Sequence, residues 1–297
     1  MHRNVGSKKA LDRRYNELYH KQHRHLVSHG LYPGFKVKEK QAMGEIWTIA
    51  DANNVYAFFH INQTDELETN KALLIYDLIF NQDYDVNVLA EVLMCFLRQN
   101  FYGQNIYIRI EDYFKGGKQL ISAMQHKHVY TSVSMLKKDL SDINKKYLRS
   151  DVKIRQFTVN KDEELFSALY YEIFKDISPV FSKEKIMKWV EAWVNLSTFD
   201  PDLYLFAECE QKPVGLVAIE INVESAGTGH LYEIGVVKAF RGCGIAPLLF
   251  HNCVGKSIEK GAKRLLLRVR VSNIIAHRFF LNYGFKDLYK RDYFCLL

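Results

Sequence analysis

The stretch from Tyr232 to Phe250 constrains the fold more than any other part of the chain. Tyr232 to Val237 is an apolar, β-branched run that reads as a strand. Arg241-Gly242-Cys243-Gly244 reads as a tight loop, and the residues from Pro247 onward as a helix. Proline at a first helical position loses nothing, because its missing N–H has no intrahelical acceptor there. A strand that enters a helix through two glycines brings backbone N–H groups and the positive end of the helix dipole to one point. That geometry suits phosphate oxygens.

The flanking sequence alternates strands and helices. Val152 to Val159 is predicted as a strand. Asp162, Glu163 and Glu164 put acid in the first turn of a helix whose apolar stripe is Leu165, Leu169 and Ile173. Residues 177–181 break it, and a second helix aligns Ile186, Val190, Trp193 and Val194. Leu203 to Glu208 and Val214 to Val223 form a hairpin, and His230 to Val237 is the central strand. Arg264 to Val271 is a further strand. Ser272 or Asn273 caps a helix with Ala276, Phe279, Phe280 and Tyr283 at i, i+3, i+4 and i+7, which Gly284 ends. Lys286 to Leu297 supplies the last strands.

The first half repeats this order. Glu45 to Ala50 and Val55 to Asn62 read as a hairpin around residues 51–54, followed by a strand over Ala72 to Phe80 and a helix over Val86 to Arg98. A strand over Ile106 to Ile110, a helix near Lys118 to Gln125 and a strand near Val129 to Leu136 complete the copy. Trp47 precedes Ile106 by 59 residues and Tyr204 precedes Leu265 by 61, so the chain is expected to hold two copies of one α/β unit. The predicted boundaries are a first copy over 44–143, a charged linker around 141–151 and a second copy over 151–297. Residues 1–43 are read as a helical segment packed on the first copy through Leu11, Tyr15, Leu18 and Tyr19. The first copy has Asn81-Gln82-Asp83-Tyr84-Asp85 where the second has its glycine loop. Two carboxylates at a helix N-terminus repel an anionic ligand, so this copy is expected to be degenerate, a scaffold that shapes a cleft or a dimer surface.

Composition narrows the classes. The 297 residues are 48% hydrophobic and 13% aromatic, enough for two cores and too apolar for disorder. No run of about 18 apolar residues occurs, and the polar start lacks an apolar signal segment, so a cytoplasmic protein without membrane or nucleic-acid contacts is expected. The five cysteines are scattered and have no ligand-like spacing, which argues against a disulfide frame or a zinc site. His20, His23, His25 and His29 are read as a solvated face, and no metal is expected. The net charge of +7 suits an anionic small-molecule partner.

The spacing Arg-x-x-Gly-x-Ala over Arg241 to Ala246 resembles motif A of the GCN5-related N-acetyltransferases. Asn-x-x-Ala-x-x-Phe-x-x-x-x-Gly-Phe over Asn273 to Phe285 resembles the family's second signature. The resemblance implies tandem acyl-CoA N-acyltransferase-like domains, each a mostly antiparallel mixed sheet with a splayed central parallel pair flanked by helices. It implies acetyl-CoA as co-substrate, attacked directly by a small-molecule or peptide amine in a monomer or homodimer. Carried over, the backbone of Val236 and Val237 holds the pantetheine and polarises the thioester. Backbone donors of Arg241, Gly242, Cys243, Gly244, Ile245 and Ala246 hold the pyrophosphate, and Asn273 meets the pantetheine arm.

The family's base lies on the strand before the loop, where this chain has His230, Leu231, Tyr232 and Glu233. Strand alternation sets His230 and Tyr232 on one face and Leu231 and Glu233 on the other unless a bulge intervenes. Glu233 and His230 are both candidate bases. Phe280 stands where the family has its acid tyrosine, beside the cofactor, so Tyr283 or Tyr232 is expected to replace it, or the thiolate leaves unaided. Phe181 and Tyr170 are candidates to line the acceptor pocket, with core packing favoured for each. An acyl-CoA-binding sensor and a transferase of another short acyl group are the alternatives. A cell-wall aminoacyl transferase fits poorly with an intact loop.

Overall fold

A computed structural model describes residues 13, 17–18, 21–22, 45–50, 55–64, 72–81, 83–143, 150–176, 182–222 and 227–297. They fall into two compact units. The first comprises the residues up to Val133 with Arg270–Asn273 and Tyr289–Leu297, and the second Ser134–Val269 with Ile274–Leu288.

In the first unit β1 (Glu45–Ala50), β2 (Val55–Thr64) and β3 (Ala72–Phe80) form an antiparallel meander. Helix α1 (Val86–Asn100) crosses over to β4 (Ile106–Glu111), which runs parallel to β3, and α2 (Lys115–Ser122) leads into β5 (His126–Lys137). Leu89, Leu93, Phe96 and Leu97 recur at helical spacing along α1. They bury against Phe59, Ile75 and Ile108 of the sheet, each such side chain contributing about 1.5–3 kcal/mol. Leu18 is buried, and the Gln22 side-chain amide donates to the Leu78 carbonyl at 2.8 Å. Leu11, Tyr15, Tyr19, the four N-terminal histidines, the turn at 51–54 and most of the expected linker lie outside the described residues.

The second unit begins with β6 (Lys153–Gln156), α3 (Glu163–Phe174) and α4 (Lys183–Val194). It continues through β7 (Tyr204–Cys209), β8 (Lys212–Asn222), β9 (Thr228–Val236), α5 (Ile245–Glu259), β10 (Arg264–Arg270) and α6 (Ile274–Asn282). Strands β6 to β9 are antiparallel to their neighbours and β10 is parallel to β9. The chain closes with β11 (Lys286–Leu296), whose residues from Arg291 pair antiparallel with β4 in the first unit. The sheet is therefore mixed, as the resemblance implies. Helix α5 begins at Ile245, two residues before the expected start. Pro247 is still in the first turn, where the N–H groups lack intrahelical acceptors.

Helices cover both faces of the strands of the second unit. A Cβ placed on Gly215 would meet Leu249 and Ile245 of α5, whereas one on Gly235 would lie 2.4 Å from Ile173 Cγ2 and 2.9 Å from Phe174 of α3. Alternate residues of β8 and β9 thus face α5 or the α3 side. The end of α3 sits so close to β9 that only glycine fits at 235. Gly235→Ala is expected to destabilise the protein by about 1–3 kcal/mol through overpacking, read as a lower midpoint in urea at unchanged slope.

Candidate active site

The parallel pair opens within the second unit. Thr228 to Leu231 of β9 partner Arg264 to Leu267 of β10, but β9 runs on to Val236 without a β10 partner. On its other edge β9 stays joined to β8, with Val236 opposite Gly215 and the Val237 N–H donating to the Val214 carbonyl at 2.8 Å. Hydrogen-bonded and non-bonded pairs alternate along an antiparallel ladder, so Val236 and Ile234 turn their N–H and C=O groups away from β8, toward the opened side. The Val236 carbonyl accepts from Arg241 Nε at 2.9 Å, consistent with that direction. Val237 was expected to share this role, but its N–H goes to Val214 and its carbonyl accepts from the Phe240 N–H. Ile234 takes its place as the second strand residue facing the gap.

The loop beyond β9 presents its backbone outward. Arg241, Gly242 and Cys243 are exposed, and Gly242 and Gly244 have φ of 79° and 76°, a region where a side chain costs about 1–2 kcal/mol. Gly244 is the N-cap of α5 and no side chain caps the helix. Its first donors and dipole end are therefore available to an anion. Arg241 contributes differently from what its place in the motif suggests. Its guanidinium folds back, Nε to Val236 and Nη2 to the Ile173 carbonyl at 3.2 Å, and so ties the loop to β9 and to α3. The Cys243 thiol lies 3.7 Å from the Arg241 carbonyl. In the first unit the Asp85 carboxylate accepts from the Asn87 N–H at 2.8 Å and caps α1 itself.

A bulge decides which side chains share a face. Leu231 is opposite Ile219 and Glu233 is opposite Ala218, so Tyr232 is an extra residue of β9. Directly opposed residues lie on one face. Glu233 therefore sides with Ala218 and Gly235 toward α3, and His230, opposite Glu220, lies on that same face. The alternation that would separate His230 from Glu233 is thus overturned. Buried Tyr170 of α3 donates its hydroxyl to Glu233 Oε1 at 2.9 Å, and buried Tyr204 donates to Glu220 Oε1 at 3.2 Å. Tyr232 is 54% exposed, with its ring 6.0 Å from that of His230. Desolvation around its hydroxyl, with the nearby Glu220 carboxylate, pushes the phenol up to about 12, against a smaller opposing effect of Arg268. Glu220 and Arg268 were not read from the sequence; a carboxylate inside the apolar run of β8 was the available signal.

The second signature is arranged otherwise. Phe280 is 3% exposed and packs among Phe250, Phe279 and Phe285, so it is a core residue and not a wall of the gap. The Tyr283 hydroxyl lies 3.2 Å from His251 Nε2, and His251 Nδ1 lies 2.8 Å from the Ile143 carbonyl. A carbonyl only accepts, so Nδ1 carries a proton, and the Tyr283 hydroxyl is held against Nε2 of the same ring. Asn273 is exposed, falls in the first unit, and donates its N–H to the Arg270 carbonyl at 2.8 Å. Phe181 lies outside the described residues. Among the described residues no group of three His, Cys, Asp or Glu is placed to hold a metal, and no helix is long and apolar enough to cross a membrane.

A mixed sheet thus opens along its parallel pair, in line with an uncapped glycine turn at a helix N-terminus. Residues 169–285 match the model of the Acetyltransferase (GNAT) family. The chain is 30% identical over 135 residues to an uncharacterized N-acetyltransferase of Methanocaldococcus jannaschii, which covers 43% of this chain and 59% of that protein. N-alpha-acetyltransferase 30 of Schizosaccharomyces pombe is 29% identical over 123 residues, 41% of this chain and 77% of the relative. The chain spans 59% and 54% of the lengths of two uncharacterized Methanocaldococcus jannaschii N-acetyltransferases that it matches. In fold it is similar to a GCN5-related N-acetyltransferase from Sphaerobacter thermophilus, with a TM-score of 0.72 at 15% identity over 93% of this chain and 90% of that one. A tandem GNAT protein from the clavulanic acid biosynthesis pathway gives a TM-score of 0.61 at 8% identity, covering 84% and 81%.

The brace made by Arg241 predicts that Arg241→Met and Arg241→Lys lower the melting temperature alike, each losing about 1–2 kcal/mol, because an ammonium does not reproduce the two-point fork. Full stability of Arg241→Lys in a thermal melt would contradict the brace.

Proposed function

We propose that the second unit moves an acetyl group from acetyl-CoA to a primary amine by direct attack in a ternary complex. The observation that carries this reading is the uncapped glycine turn of α5 standing at the end of a strand that has left its parallel neighbour. The turn from Gly242 to Ala246 offers backbone donors to the pyrophosphate, and Ile234 and Val236 offer theirs to the pantetheine arm, with the thioester beside the bulge.

Glu233, with His230 on the same face, accepts the ammonium proton, directly or through water. The freed amine nitrogen then bonds to the acetyl carbon as the carbon–sulfur bond breaks. Tyr232 passes a proton to the departing thiolate, the role that buried Phe280 lacks the group for, and takes up in exchange the proton that the acylated nitrogen loses in becoming an amide, so that free CoA thiol and a neutral phenol result. A proton donor retained on the strand favours an enzyme over a sensor that only binds the thioester. The acceptor is a small-molecule or peptide amine; the similarity to an N-alpha-acetyltransferase makes a free peptide N-terminus the first to try. The first unit, with its helix end capped by Asp85, serves as a scaffold without its own cofactor site.

Calorimetric titration of acetyl-CoA is expected to show one site per chain, lost in Gly244→Glu; absence of binding to the unaltered protein overturns the assignment. Tyr232→Phe is expected to bind acetyl-CoA as before while CoA thiol release with a panel of primary amines falls about 100-fold.

A further inference from the structure

Tyr170 carries a feature that packing does not require. Its ring lies on the buried face of α3, with Phe174 at 4.6 Å and Trp193 at 6.5 Å between ring centroids. Phe166 and Phe174, one turn to either side, serve that packing without a hydroxyl. The Tyr170 hydroxyl reaches across the interface to the strand and meets Glu233 Oε1 at 2.9 Å. This contact exists because Tyr232 bulges out of the ladder: in an unbroken alternation from His230, Glu233 would point to the α5 side.

We infer that Tyr170 is a positioning residue that fixes the Glu233 carboxylate in one orientation and keeps it ionised beside the thioester gap. The inference rests on the reading of Glu233 as the base. A hydrogen bond donated to a carboxylate favours its charged form, whereas the like charge of Glu220 on β8 opposes it. Other titratable or charged groups on this face include Tyr204 of β7, His230 and Tyr232 of β9 itself, and Arg264 and Arg268 of β10. From the helices, α3 brings Tyr170, and α4 packs on α3 through Ile186 and Val190. Removing the hydroxyl leaves Glu220 unopposed from α3, so Glu233 takes up a proton at higher pH, and a base that must be deprotonated becomes active later on the pH axis.

The test follows the side-chain carboxyl resonances of protein labelled with carbon-13 in glutamate, through a pH titration, with Glu233→Gln identifying the Glu233 signal. Tyr170→Phe is expected to raise the Glu233 midpoint by about one pH unit, a tenfold change in proton affinity. Acetyl-CoA affinity should be unchanged, and the acid limb of thiol release should move with the midpoint. Site-specific 3-fluorotyrosine at 170, a stronger donor of nearly the same shape, is expected to shift the midpoint the other way, which keeps the test open if the phenylalanine variant does not fold. A midpoint that moves in neither variant overturns the positioning role, even where Glu233→Gln stops thiol release. A midpoint that moves while Glu233→Gln releases thiol at the full rate leaves the hydrogen bond standing and removes Glu233 as the base.

Discussion

The site depends on β9 being held on one edge and released on the other. A strand that kept both neighbours would have every backbone group engaged, and one that lost both would not hold its shape. Pairing with β8 continues past the point where β10 departs, and the Val237 N–H bond to Val214 carries it to the mouth of the loop. Arg241 then locks the end. By bonding the Val236 and Ile173 carbonyls together it fixes how far β9 can swing from α3, and Gly235 lets the two come close enough for that bond to form. The loop glycines are thereby held in register with the opened strand, and each preorganises the other at no cost during ligand binding.

The bulge is the second consequence of that one-sided pairing. One additional residue in β9 shortens the period locally and turns Glu233 onto the face already occupied by His230 and Glu220. Without it Glu233 would lie on the opposite face of the sheet from His230 and Glu220. Tyr232, displaced from the ladder, becomes a half-exposed phenol whose proton is retained by Glu220 and by desolvation. A carboxylate and a phenol thus stand on neighbouring residues of one strand, the carboxylate held by Tyr170 and the phenol left half exposed.

Much of this was legible in the residues. The order of strands and helices, the loop and its open helix end follow from periodicity and from glycine and proline placement, which are local properties. The roles of Arg241, Phe280 and Val237 were not, since each turns on a partner distant in sequence. Arg241 meets Ile173, Phe280 meets Phe250, and Val237 meets Val214. A motif records that an arginine belongs at a position but is silent on whether its guanidinium faces a ligand or the chain. The bulge is illegible for a similar reason. Nothing in His-Leu-Tyr-Glu marks an extra residue, because the shift lies in the register with β8.

The first unit repeats the opened strand of the second and differs at the helix end. There β3 and β4 also pair in parallel only over Leu73 to Ile75, while β3 runs on to Phe80. The register with β2, Phe58 opposite Ile79 and His60 opposite Tyr76, likewise inserts one extra residue in the central strand. The opening and the bulge are therefore properties of the fold, present in both units. What differs is the helix end that follows. In one unit it is a glycine at a φ of 76° with no cap; in the other Asp85 brings its own carboxylate to the helix donors. A capping carboxylate supplies internally the negative charge that the dipole and the free N–H groups favour, and stabilises the helix by about 1 kcal/mol while excluding an external phosphate. Leaving the cap off in the second unit forgoes that stability, and the forgone stability is what makes the helix end available to bind an anion.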